Sequence, residues 1–538
     1  MQLGELVQGT GVELEQPGHA SLRICDVTED SRTALPGSLF IARPGLKSDG
    51  RTYIADAIRA GASAVLTVEG AAKPEGAEDV AWLTTDDIAE STALIAERFF
   101  GEPGKRLMLL GVTGTNGKTT VSYLMHQLLR AAKVRTGLIG TVFIDDGAGL
   151  SASVMTTPPA LEVSHALSRM IDHGYCAASL EVSSHSLEQK RVAALRFNAA
   201  VFTNLTGDHL DYHGTMENYA GAKAKLFEML RPGGAAVVNI DDPAAETMVK
   251  NCRERVLRCT MEQDRRADCS ARARNFTVSG FDGEFIGPWG RVSARVPLIG
   301  EHNAMNVLQA IAAVHAAGVS LEKFEEKLEK LVSPPGRMEL VTSEWTAAKS
   351  IAGSIKPAEP FSVFVDYSHS DDSLEKALAA LRSLVTKKGA KLRVVFGCGG
   401  DRDRTKRPRM GRVAAAGADQ VIVTSDNPRT EEPSAIIREV LSGVPREAMG
   451  KVHVDADRRA GISRAIDDSC PGDIVLIAGK GHEDYQLVPD GAGGILRLSF
   501  DDRMVAREAL LRRAAHEADP SHTEPAHAGA TVNSGGRG

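Results

Sequence analysis

The residues with the clearest chemical potential lie in Gly111–Thr120, which reads Gly-Val-Thr-Gly-Thr-Asn-Gly-Lys-Thr-Thr. Glycines let successive backbone N–H groups turn toward a polyphosphate, and a following helix adds the positive end of its dipole. Lys118 can then reach the β and γ phosphates, and the Thr119 hydroxyl can ligate Mg²⁺. Val112 stands where the strict phosphate-loop pattern has its first glycine. We predict a nucleoside triphosphate site, with an ordinary strand-to-helix turn as the competing interpretation.

The residues on either side of this loop predict a strand and a helix. Leu107–Val112 is a short apolar run of the kind that forms a buried strand. After the loop, apolar residues recur at i, i+3, i+4, i+7 and i+8, which predicts one hydrophobic helix face made of Val121, Leu124, Met125, Leu128 and Leu129. A strand, a glycine-rich loop and a helix in this order open an α/β nucleotide-binding sheet.

Polar residues follow three further predicted strands, Ala177–Val182, Ala199–Asn204 and Ala235–Ile240. Ligands of open parallel sheets bind beyond the carboxyl ends of the strands, so these clusters belong where chemistry takes place. Glu181 and His209 stand just past two of the strands and are candidate Mg²⁺ ligands. The alternative is that each is only a satisfied polar strand end.

Two breaks that contain proline and glycine, Gly101–Gly104 and Ser333–Gly336, divide the chain. The prediction is a mixed α/β protein of three domains. The domains are a small N-terminal α/β domain over 1–103, a central P-loop-type parallel sheet over 104–335 and a C-terminal Rossmann-like α/β domain over 336–514. A disordered tail over 515–538, rich in Pro, His, Gly and Ser, follows them. Further predicted elements are helices over 303–317 and 320–331 and strands Phe361–Val365, Leu392–Phe396, Gln420–Thr424 and Asp473–Ile477.

Composition excludes several classes of protein. A chain of 538 residues suits about three or four domains. Lys plus Arg number 63 against 70 Asp plus Glu, so the net charge of −7 gives no support for nucleic-acid binding. The seven cysteines form no C-x-x-C pair, which argues against a disulfide framework or a structural zinc site. Neither a signal segment nor an apolar run of roughly 18 residues is present. We expect a cytoplasmic protein that binds neither nucleic acid nor membrane.

Separated motifs along nearly the whole chain resemble the Mur ligase family, the ATP-dependent amide ligases that extend the peptidoglycan stem peptide. Thr113–Thr119 resembles the ATP loop of that family. The other matching motifs follow in the same order: Asp30-Ser-Arg32, Gly37–Ala42, Thr156-Thr157, Glu181–His185, Gln189-Lys-Arg191, Asn204–Gly214, Gly300–Asn303, Gly336-Arg337, Asp366–His369, Gly399–Asp403, Asp426–Arg429 and Gly479–Asp484. The resemblance is greatest to the members that add meso-2,6-diaminopimelate.

The resemblance implies an ATP- and Mg²⁺-dependent ligase that joins meso-2,6-diaminopimelate to the D-Glu γ-carboxylate of UDP-MurNAc-L-Ala-D-Glu. It assigns ATP to Gly114, Thr115, Asn116, Gly117, Lys118, Thr119, Thr120, Asn303, Arg337 and Asp366. The implied catalytic residues are Lys118, Lys223 and His209, and the implied metal ligands are Thr119, Glu181, His209 and Lys223 as a CO₂-derived carbamate. Taken by itself, Lys223 reads as a solvated surface lysine.

The resemblance also assigns residues to the other two substrates. For the UDP end of the nucleotide sugar it implies Ser31, Leu46, Lys47 and Ser48, and for the muramoyl dipeptide Thr156, Thr157, Ser183, Gln189 and Arg191. For diaminopimelate it implies Arg402, Asp426, Asn427, Pro428, Arg429, Gly479 and Glu483.

The side chains assigned to diaminopimelate suit that substrate. Arg429 can bind a carboxylate through two parallel N–H···O bonds that a lysine cannot reproduce. Glu483 can pair with an ammonium group, and Arg402 can add a second carboxylate contact. Because diaminopimelate carries one carboxylate more than lysine, the arginine favours diaminopimelate. An Asn-Pro turn without further function is the simpler interpretation of this segment.

Three alternatives remain at this point: a ligase resembling folylpolyglutamate synthase, a P-loop kinase or NTPase, and a non-catalytic nucleotide-binding scaffold. The sequence departs from the Mur ligase pattern at Ser368–Asp371, where Ala-His-Thr-Pro is usual, and at 346–359, which reads as an inserted surface loop. Neither departure removes a group that the chemistry needs. We expect a monomer.

Overall fold

The computed structural model describes residues 1–45, 49–263, 265–342 and 361–518. The predicted contact residues Leu46, Lys47 and Ser48 and the inserted segment 346–359 therefore lie outside the described residues. The chain is a mixed α/β protein with sheets rich in parallel strands, as predicted. It divides into two compact units, Met1–Pro334 and Pro335–Gly538. No helix in the described ranges is long and apolar enough to cross a membrane.

The first unit begins with a five-stranded sheet. Its strands are, in spatial order, Glu13–Leu14, Ala81–Thr85, Ala64–Val68, Ser38–Ile41 and Asp26–Thr28. All neighbours are parallel except the first pair. The associated helices are Leu3–Val7, Ile54–Arg59, Ile88–Phe99 and Pro103–Arg106, with 3₁₀ turns at Pro17–Ser21, Ser31–Thr33 and Gly50–Tyr53.

An eleven-stranded sheet forms the rest of the first unit. Its strands are, in spatial order, Gly290–Val296, Gly280–Gly287, Cys269–Thr277, Arg255–Thr260, Leu230–Asn239, Phe197–Phe202, Met108–Thr113, Ala177–Glu181, Thr136–Ile139, Phe143–Asp145 and Leu150–Ala152. The strands from Cys269–Thr277 through Thr136–Ile139 run parallel. Antiparallel hairpins extend both edges. The predicted strands at the phosphate loop and at the polar clusters are thus neighbours at the centre of one sheet.

Helices cover both faces of this sheet. Lys118–Ala131 and His302–Ala316 pack on one face, and all five residues of the predicted hydrophobic face are buried there. Ala160–Asp172, Ser184–Glu188 and Met216–Glu228 bury apolar residues on the other face. The remaining helices are Leu210–His213, Ala245–Val249 and Phe324–Leu328. The helix predicted over 320–331 is wrong in extent, because Lys323 has a left-handed backbone with φ of 51° directly before the helix.

The second unit contains a six-stranded sheet and a separate hairpin. The sheet strands are, in spatial order, Glu339–Leu340, Ser362–Asp366, Ile474–Ala478, Leu392–Phe396, Gln420–Val423 and Val452–Val454, and the hairpin pairs Tyr485–Pro489 with Ile495–Ser499. The helices are Asp371–Arg382, Lys406–Gly417, Pro433–Leu441, Arg458–Asp467 and Asp502–Ala518, with a 3₁₀ turn at Arg446–Lys451. Residues 515–518, which composition assigned to the tail, continue the last helix.

A buried ion pair joins the N-terminal ends of strands Leu392–Phe396 and Ile474–Ala478 in this second sheet. Arg393 donates to Asp473 at 2.6 Å, and their side chains are 4% and 2% exposed. Asp473 also accepts hydrogen bonds from the backbone N–H groups of Lys391 and Cys470. This one carboxylate therefore satisfies a buried guanidinium and two backbone donors.

We expect Asp473→Ala to lower the free energy of unfolding by about 3–5 kcal/mol, since it leaves an uncompensated charge in the interior. Glu508→Ala is the matched control, because the Arg459–Glu508 pair is exposed on both sides and such pairs contribute about 1 kcal/mol or less. Urea denaturation of full-length variants measures both. Equal shifts of the unfolding midpoint would contradict the role assigned to the buried pair.

Candidate active site

The predicted phosphate loop turns sharply at two glycines between strand Met108–Thr113 and helix Lys118–Ala131. Gly114 has φ of +149° and Gly117 has φ of +85°, values that L side chains rarely adopt. A Cβ on Gly114 would lie 1.9 Å from the Thr203 Oγ1, so the loop also needs this glycine to approach its neighbour. The two glycines are therefore required by both backbone conformation and space.

The segment after the neighbouring strand Phe197–Phe202 holds the loop in shape. The backbone N–H of Thr115 donates to the Asn204 carbonyl at 2.8 Å, and that of Asn116 donates to the Asn204 Oδ1 at 3.0 Å. The Thr203 hydroxyl donates to the Asn116 carbonyl at 2.6 Å. The loop conformation thus depends on side chains about 90 residues away in the sequence.

Two lysines from different helices meet at one backbone oxygen of the loop. The Nζ atoms of Lys118 and Lys223 each donate to the Gly114 carbonyl at 2.9 Å. Lys223 is 1% exposed, in contrast to the solvated surface lysine that it suggests when taken by itself. Burial lowers its pKa well below that of an ordinary lysine, and the positive charge of Lys118 lowers it further. Lys223 therefore gives up its proton more readily than an ordinary lysine.

Hard oxygen ligands gather at the start of the loop helix. The Thr119 hydroxyl donates to the Glu181 Oε2 at 3.0 Å, and Glu181 is 1% exposed at the end of its strand. The backbone N–H of Thr141 donates to the other carboxylate oxygen at 2.7 Å. A hydroxyl beside a carboxylate is the donor set that Mg²⁺ prefers, so these residues fit that cofactor. Thr141 belongs to no motif, and sequence analysis missed it.

His209 lies close to the lysine pair but remains half-exposed. Its backbone is left-handed with φ of 54°, and its ring is 4.8 Å from that of His185. Burial lowers the pKa of His209; Asp208 opposes this shift, and the charge of Lys118 adds to it. Within the described residues, no group of three or more His, Cys, Asp or Glu side chains is arranged to hold a metal ion. His209 and Glu181 therefore do not belong to such a group, and their role as metal ligands stays a prediction.

The residues assigned to the muramoyl dipeptide lie together beyond strand Ala177–Glu181. Thr157 donates to the Glu181 carbonyl at 2.7 Å, and Arg191 donates to the Thr157 carbonyl at 2.6 Å. The Ser183 hydroxyl accepts a hydrogen bond from the Ser186 backbone N–H at 3.1 Å. The Gln189 Oε1 accepts one from the Arg191 guanidinium. Thr156 is joined to the side of the site that holds Thr119 and Glu181, since its hydroxyl accepts from the Thr141 hydroxyl at 3.1 Å.

The N-terminal sheet contributes two charged residues that sequence analysis missed. Arg43 donates to the Gln189 carbonyl at 3.5 Å. Burial raises the pKa of Glu29, while the charges of Arg43 and Arg191 oppose that rise. Ser31, the predicted UDP contact, opens the short 3₁₀ turn Ser31–Thr33 and lies close to Glu29 in sequence. Two arginines therefore stand together where an anionic substrate group could bind.

In the second unit, the residues assigned to diaminopimelate surround the ends of strands Gln420–Val423 and Ile474–Ala478. The Asn427 Nδ2 donates to the Glu483 Oε2 at 2.8 Å, and Lys480 donates to the same oxygen at 3.1 Å. A Cβ on Gly479 would lie 2.5 Å from the Asp426 Oδ2, so this glycine lets the two segments meet. Burial raises the pKa of Glu483, and the charge of Asp426 raises it too, whereas Lys480 opposes both.

Lys480 lies within the motif Gly479–Asp484, and the sequence assigned it no role. Its side chain is fully buried. Besides Glu483 it contacts the Asn427 Oδ1 at 3.4 Å, and its Nζ lies 5.3 Å from the centre of the Tyr485 ring. Lys480 thus holds the Glu483 carboxylate in place and favours its charged form.

Arg429 follows Pro428 at the tip of the turn and has a left-handed backbone with φ of 55°. Its Nη1 donates to the Gly400 carbonyl at 2.7 Å, and its backbone N–H donates to the Leu487 carbonyl. Arg402 lies on the same glycine loop, since a Cβ on Gly399 would meet both Arg429 and Arg402. The Arg429 guanidinium and the aliphatic part of the Arg402 side chain therefore lie next to the same glycine.

The residues assigned to the ATP base and ribose fall in both units. Asn303 is buried, and its amide donates to the Ile299 carbonyl at 2.7 Å. In the second unit, the Arg337 guanidinium lies 4.4 Å from the centre of the Tyr367 ring, and Asp366 accepts the Met338 backbone N–H at 2.8 Å. Thr120 lies in the first turn of the loop helix. Their role toward ATP stays a prediction.

Family profiles of the Mur ligases match three stretches of the chain. Residues 23–100 match the profile described as the Mur ligase family catalytic domain, 112–314 the Mur ligase middle domain, and 336–481 the Mur ligase glutamate ligase domain. Together these stretches cover most of the sequence.

Individual relatives agree over nearly the full length. The chain is 42% identical to the UDP-N-acetylmuramoyl-L-alanyl-D-glutamate–2,6-diaminopimelate ligase of Synechococcus elongatus, covering 95% of this chain and 99% of the relative. It is 41% identical to the ligase of the same name from Solibacter usitatus, over 96% and 100%. A solved structure of a ligase of this name aligns with a TM-score of 0.65 at 33% identity, over 96% and 99%.

More distant structures share the fold alone. MurF from Acinetobacter baumannii aligns with a TM-score of 0.61 at 18% identity. Folylpolyglutamate synthase from Mycobacterium tuberculosis aligns with a TM-score of 0.55 at 19% identity and covers only 72% of this chain. With three matching profiles and relatives above 40% identity over almost all of its length, the chain belongs to the Mur ligase family.

Proposed function

We propose that this chain is an ATP-dependent ligase that joins an amino group of meso-2,6-diaminopimelate to the D-Glu γ-carboxylate of UDP-MurNAc-L-Ala-D-Glu and releases ADP and phosphate. The observation that carries the proposal is its near-full-length identity of 42% to a ligase of that name. The reaction would take place in the cytoplasm, where such precursors are made, with the protein acting as a monomer.

The chemistry requires that the carboxylate first acquire a leaving group. A carboxylate oxygen attacks the γ-phosphorus of ATP, the bond to the bridging oxygen breaks, and ADP leaves. The acyl phosphate is then attacked by the amine, and the tetrahedral intermediate expels phosphate to leave the amide. Because phosphoryl transfer depends mainly on positioning and charge neutralisation, the loop N–H groups and Lys118 are the groups that would stabilise the transferred phosphate.

Thr119 and Glu181 are the residues that would hold Mg²⁺, which neutralises phosphate charge when bound. Lys223 as an amine is no ligand for that hard cation. A neutral amine can add to CO₂, forming an N–C bond and releasing one proton, and the resulting carbamate would supply anionic oxygens. The lowered pKa of Lys223 favours this modification because it keeps the amine neutral.

The second unit would bind the diamino acid by charge. Arg429 and Arg402 would receive carboxylates, and Glu483, held by Lys480 and Asn427, would receive an ammonium group. Such a site would leave Arg429 without its anion when lysine binds, and unpaired polar groups discriminate strongly between substrates. A folylpolyglutamate-type ligase is the weaker candidate, because that similarity covers less of the chain and lies at 19% identity.

The central experiment is an ATP-consumption assay on the purified chain with UDP-MurNAc-L-Ala-D-Glu and diaminopimelate. We expect ADP, phosphate and the amide product in equal amounts. We expect no turnover when either UDP-MurNAc-L-Ala-D-Glu or diaminopimelate is omitted. Release of AMP and pyrophosphate would contradict the acyl phosphate. ATP hydrolysis that is independent of the amine would instead support an NTPase.

Substitution of Lys223 tests the carbamate. We expect Lys223→Ala to lower kcat by about 100-fold or more, because it removes the carbamate oxygens that would hold Mg²⁺ and, with that ion, neutralise charge at the transferred phosphate. Lys225→Ala is the control, because Lys225 lies on the same helix but is exposed and paired with Glu188. With ¹³C-labelled bicarbonate, a carbamate signal should be present in the Lys225 variant and absent in the Lys223 variant. An active Lys223→Ala enzyme, or a signal that survives the substitution, would refute the modification.

The pH dependence of that signal has a defined direction. Because the folded protein lowers the pKa of Lys223, its amine stays neutral to a lower pH than a free lysine, and the carbamate should persist there. The signal and the activity should then fall together as the pH drops through the lowered pKa. Loss of carbamate already near the ordinary pKa of lysine would contradict the influence of burial.

Arg429→Lys tests the choice of amino acid. We expect the wild-type chain to favour diaminopimelate over lysine by about 100-fold or more in kcat/KM, and the substitution to remove most of that preference by raising KM for diaminopimelate. Arg412→Lys, at an exposed position in the same unit, is the control and should change neither value. Comparable kcat/KM values for the two amino acids in the wild type would disprove the proposed selectivity.

A further inference from the structure

A cavity of about 750 Å³ lies between the C-terminal half of helix Lys118–Ala131 and residues 322–331. Five cationic side chains and two carboxylates line it. The cationic side chains are Arg130, Lys133, Lys323, Lys327 and Lys330. An adjoining cavity of about 220 Å³ shares Arg130 and Lys133 and adds Arg135. The combined space is in the size range of small-molecule sites.

The cations outnumber the negative groups available to them. Arg130 reaches Asp145 at 3.2 Å, and Lys323 lies 3.9 Å from Glu326. Within the described ranges, Lys133, Lys327 and Lys330 have no carboxylate within 4.0 Å. Like charges around a concave surface repel one another and focus a positive potential into the cavity. An anion with several charges is the ligand that would stabilise this arrangement.

A buried histidine in the wall is a second, independent sign of a ligand. His126 lines the cavity, is 6% exposed, and has its Nε2 3.4 Å from the Asp145 Oδ2. Its Nδ1 has no hydrogen-bond partner in the part of the chain that the structure describes. Buried polar atoms are nearly always partnered, so an unsatisfied ring nitrogen here points to a missing contact.

An aromatic ring gives the same cavity a flat surface. Tyr123 lines the cavity beside His126, with their ring centres 6.3 Å apart and their planes 28° apart. A ring next to a set of cations is suited to a ligand that carries a planar base as well as phosphates.

We propose that this cavity binds a polyphosphate anion of nucleotide size, at a site separate from the phosphate loop. The loop helix has 14 residues, so its ends are about 20 Å apart at 1.5 Å per residue. Lys118 lies at one end and Arg130 at the other, which keeps the two sites distinct. The proposal does not depend on the substrates proposed above.

Calorimetric titration of the full-length chain with inorganic tripolyphosphate tests the site. Lys118→Ala serves as the background, because it weakens binding at the phosphate loop. We expect binding to remain in this background and to weaken by about 10-fold or more when Lys327→Gln and Lys330→Gln are added. The matched control adds Lys250→Gln and Arg253→Gln, which remove the same charge from exposed positions elsewhere in the first unit and should leave the affinity within about 2-fold.

A parallel titration with ATP separates the two sources of polyphosphate. A nucleotide ligand predicts tighter binding of ATP than of tripolyphosphate, and a loss of that difference in Tyr123→Leu. If ATP and tripolyphosphate bind with equal affinity both with Tyr123 present and in Tyr123→Leu, inorganic polyphosphate is the ligand of this site. Absence of binding in the Lys118→Ala background would overturn the proposal, as would equal weakening by the cavity pair and the control pair.

Discussion

The carbonyl oxygen of Gly114 is the point on which the rest of the phosphate site depends. Lys118 and Lys223 both donate to it, although they belong to different helices. Two ammonium groups cannot share a buried oxygen without strong repulsion at low dielectric. Deprotonation of Lys223 would remove both the cost of burying its charge and the repulsion with Lys118. The positive charge of Lys118 then favours a bound polyphosphate. The low pKa of Lys223 therefore follows from its burial and from the charge of Lys118 at the same hydrogen-bond acceptor.

In the second unit, a buried ion pair holds the segments that carry the candidate site residues. A fully buried pair, Arg458 and Asp502, ties the ends of two strands together, since Arg458 also donates to the carbonyls of Ser425 and Ala478. The segments that carry Asn427 and Glu483 start directly after these strand ends. Because breaking a buried pair leaves an uncompensated charge, such a pair holds the segments firmly in place. The carboxylate and amide groups of the candidate site are thus positioned by a charge pair that is fully buried.

The glycine loop at the same site is supported in a similar way. The Arg407 side chain is fully buried and pairs with Glu431 and Glu439, and it also donates to the Gly399 carbonyl at 3.1 Å. The Arg407 guanidinium lowers the pKa of Glu431 to about 2. The loop that carries Arg402 and faces Arg429 is therefore anchored by charges that stay ionised over the physiological range.

Sequence alone determined the local features, because they depend on residues that are close together in the chain. The loop Gly111–Thr120, the helix face that follows it and the central parallel strands were all predicted, since apolar periodicity and glycine placement act over a few residues. The antiparallel strands between Cys269 and Val296 were not predicted, although apolar and polar residues alternate along Cys269–Ala273 and Val292–Val296, the pattern that could have revealed them.

Only the tertiary structure decided which side chains meet. Lys223 could be read as a surface residue until packing placed it on Gly114, 109 residues away. Thr141 and Arg43 in the first unit and Lys480 in the second contact predicted site residues of their own unit, and no spacing rule encodes these contacts. The physical reason is that burial, repulsion and pKa depend on distances in space, and these arise only when separate segments of the chain pack together.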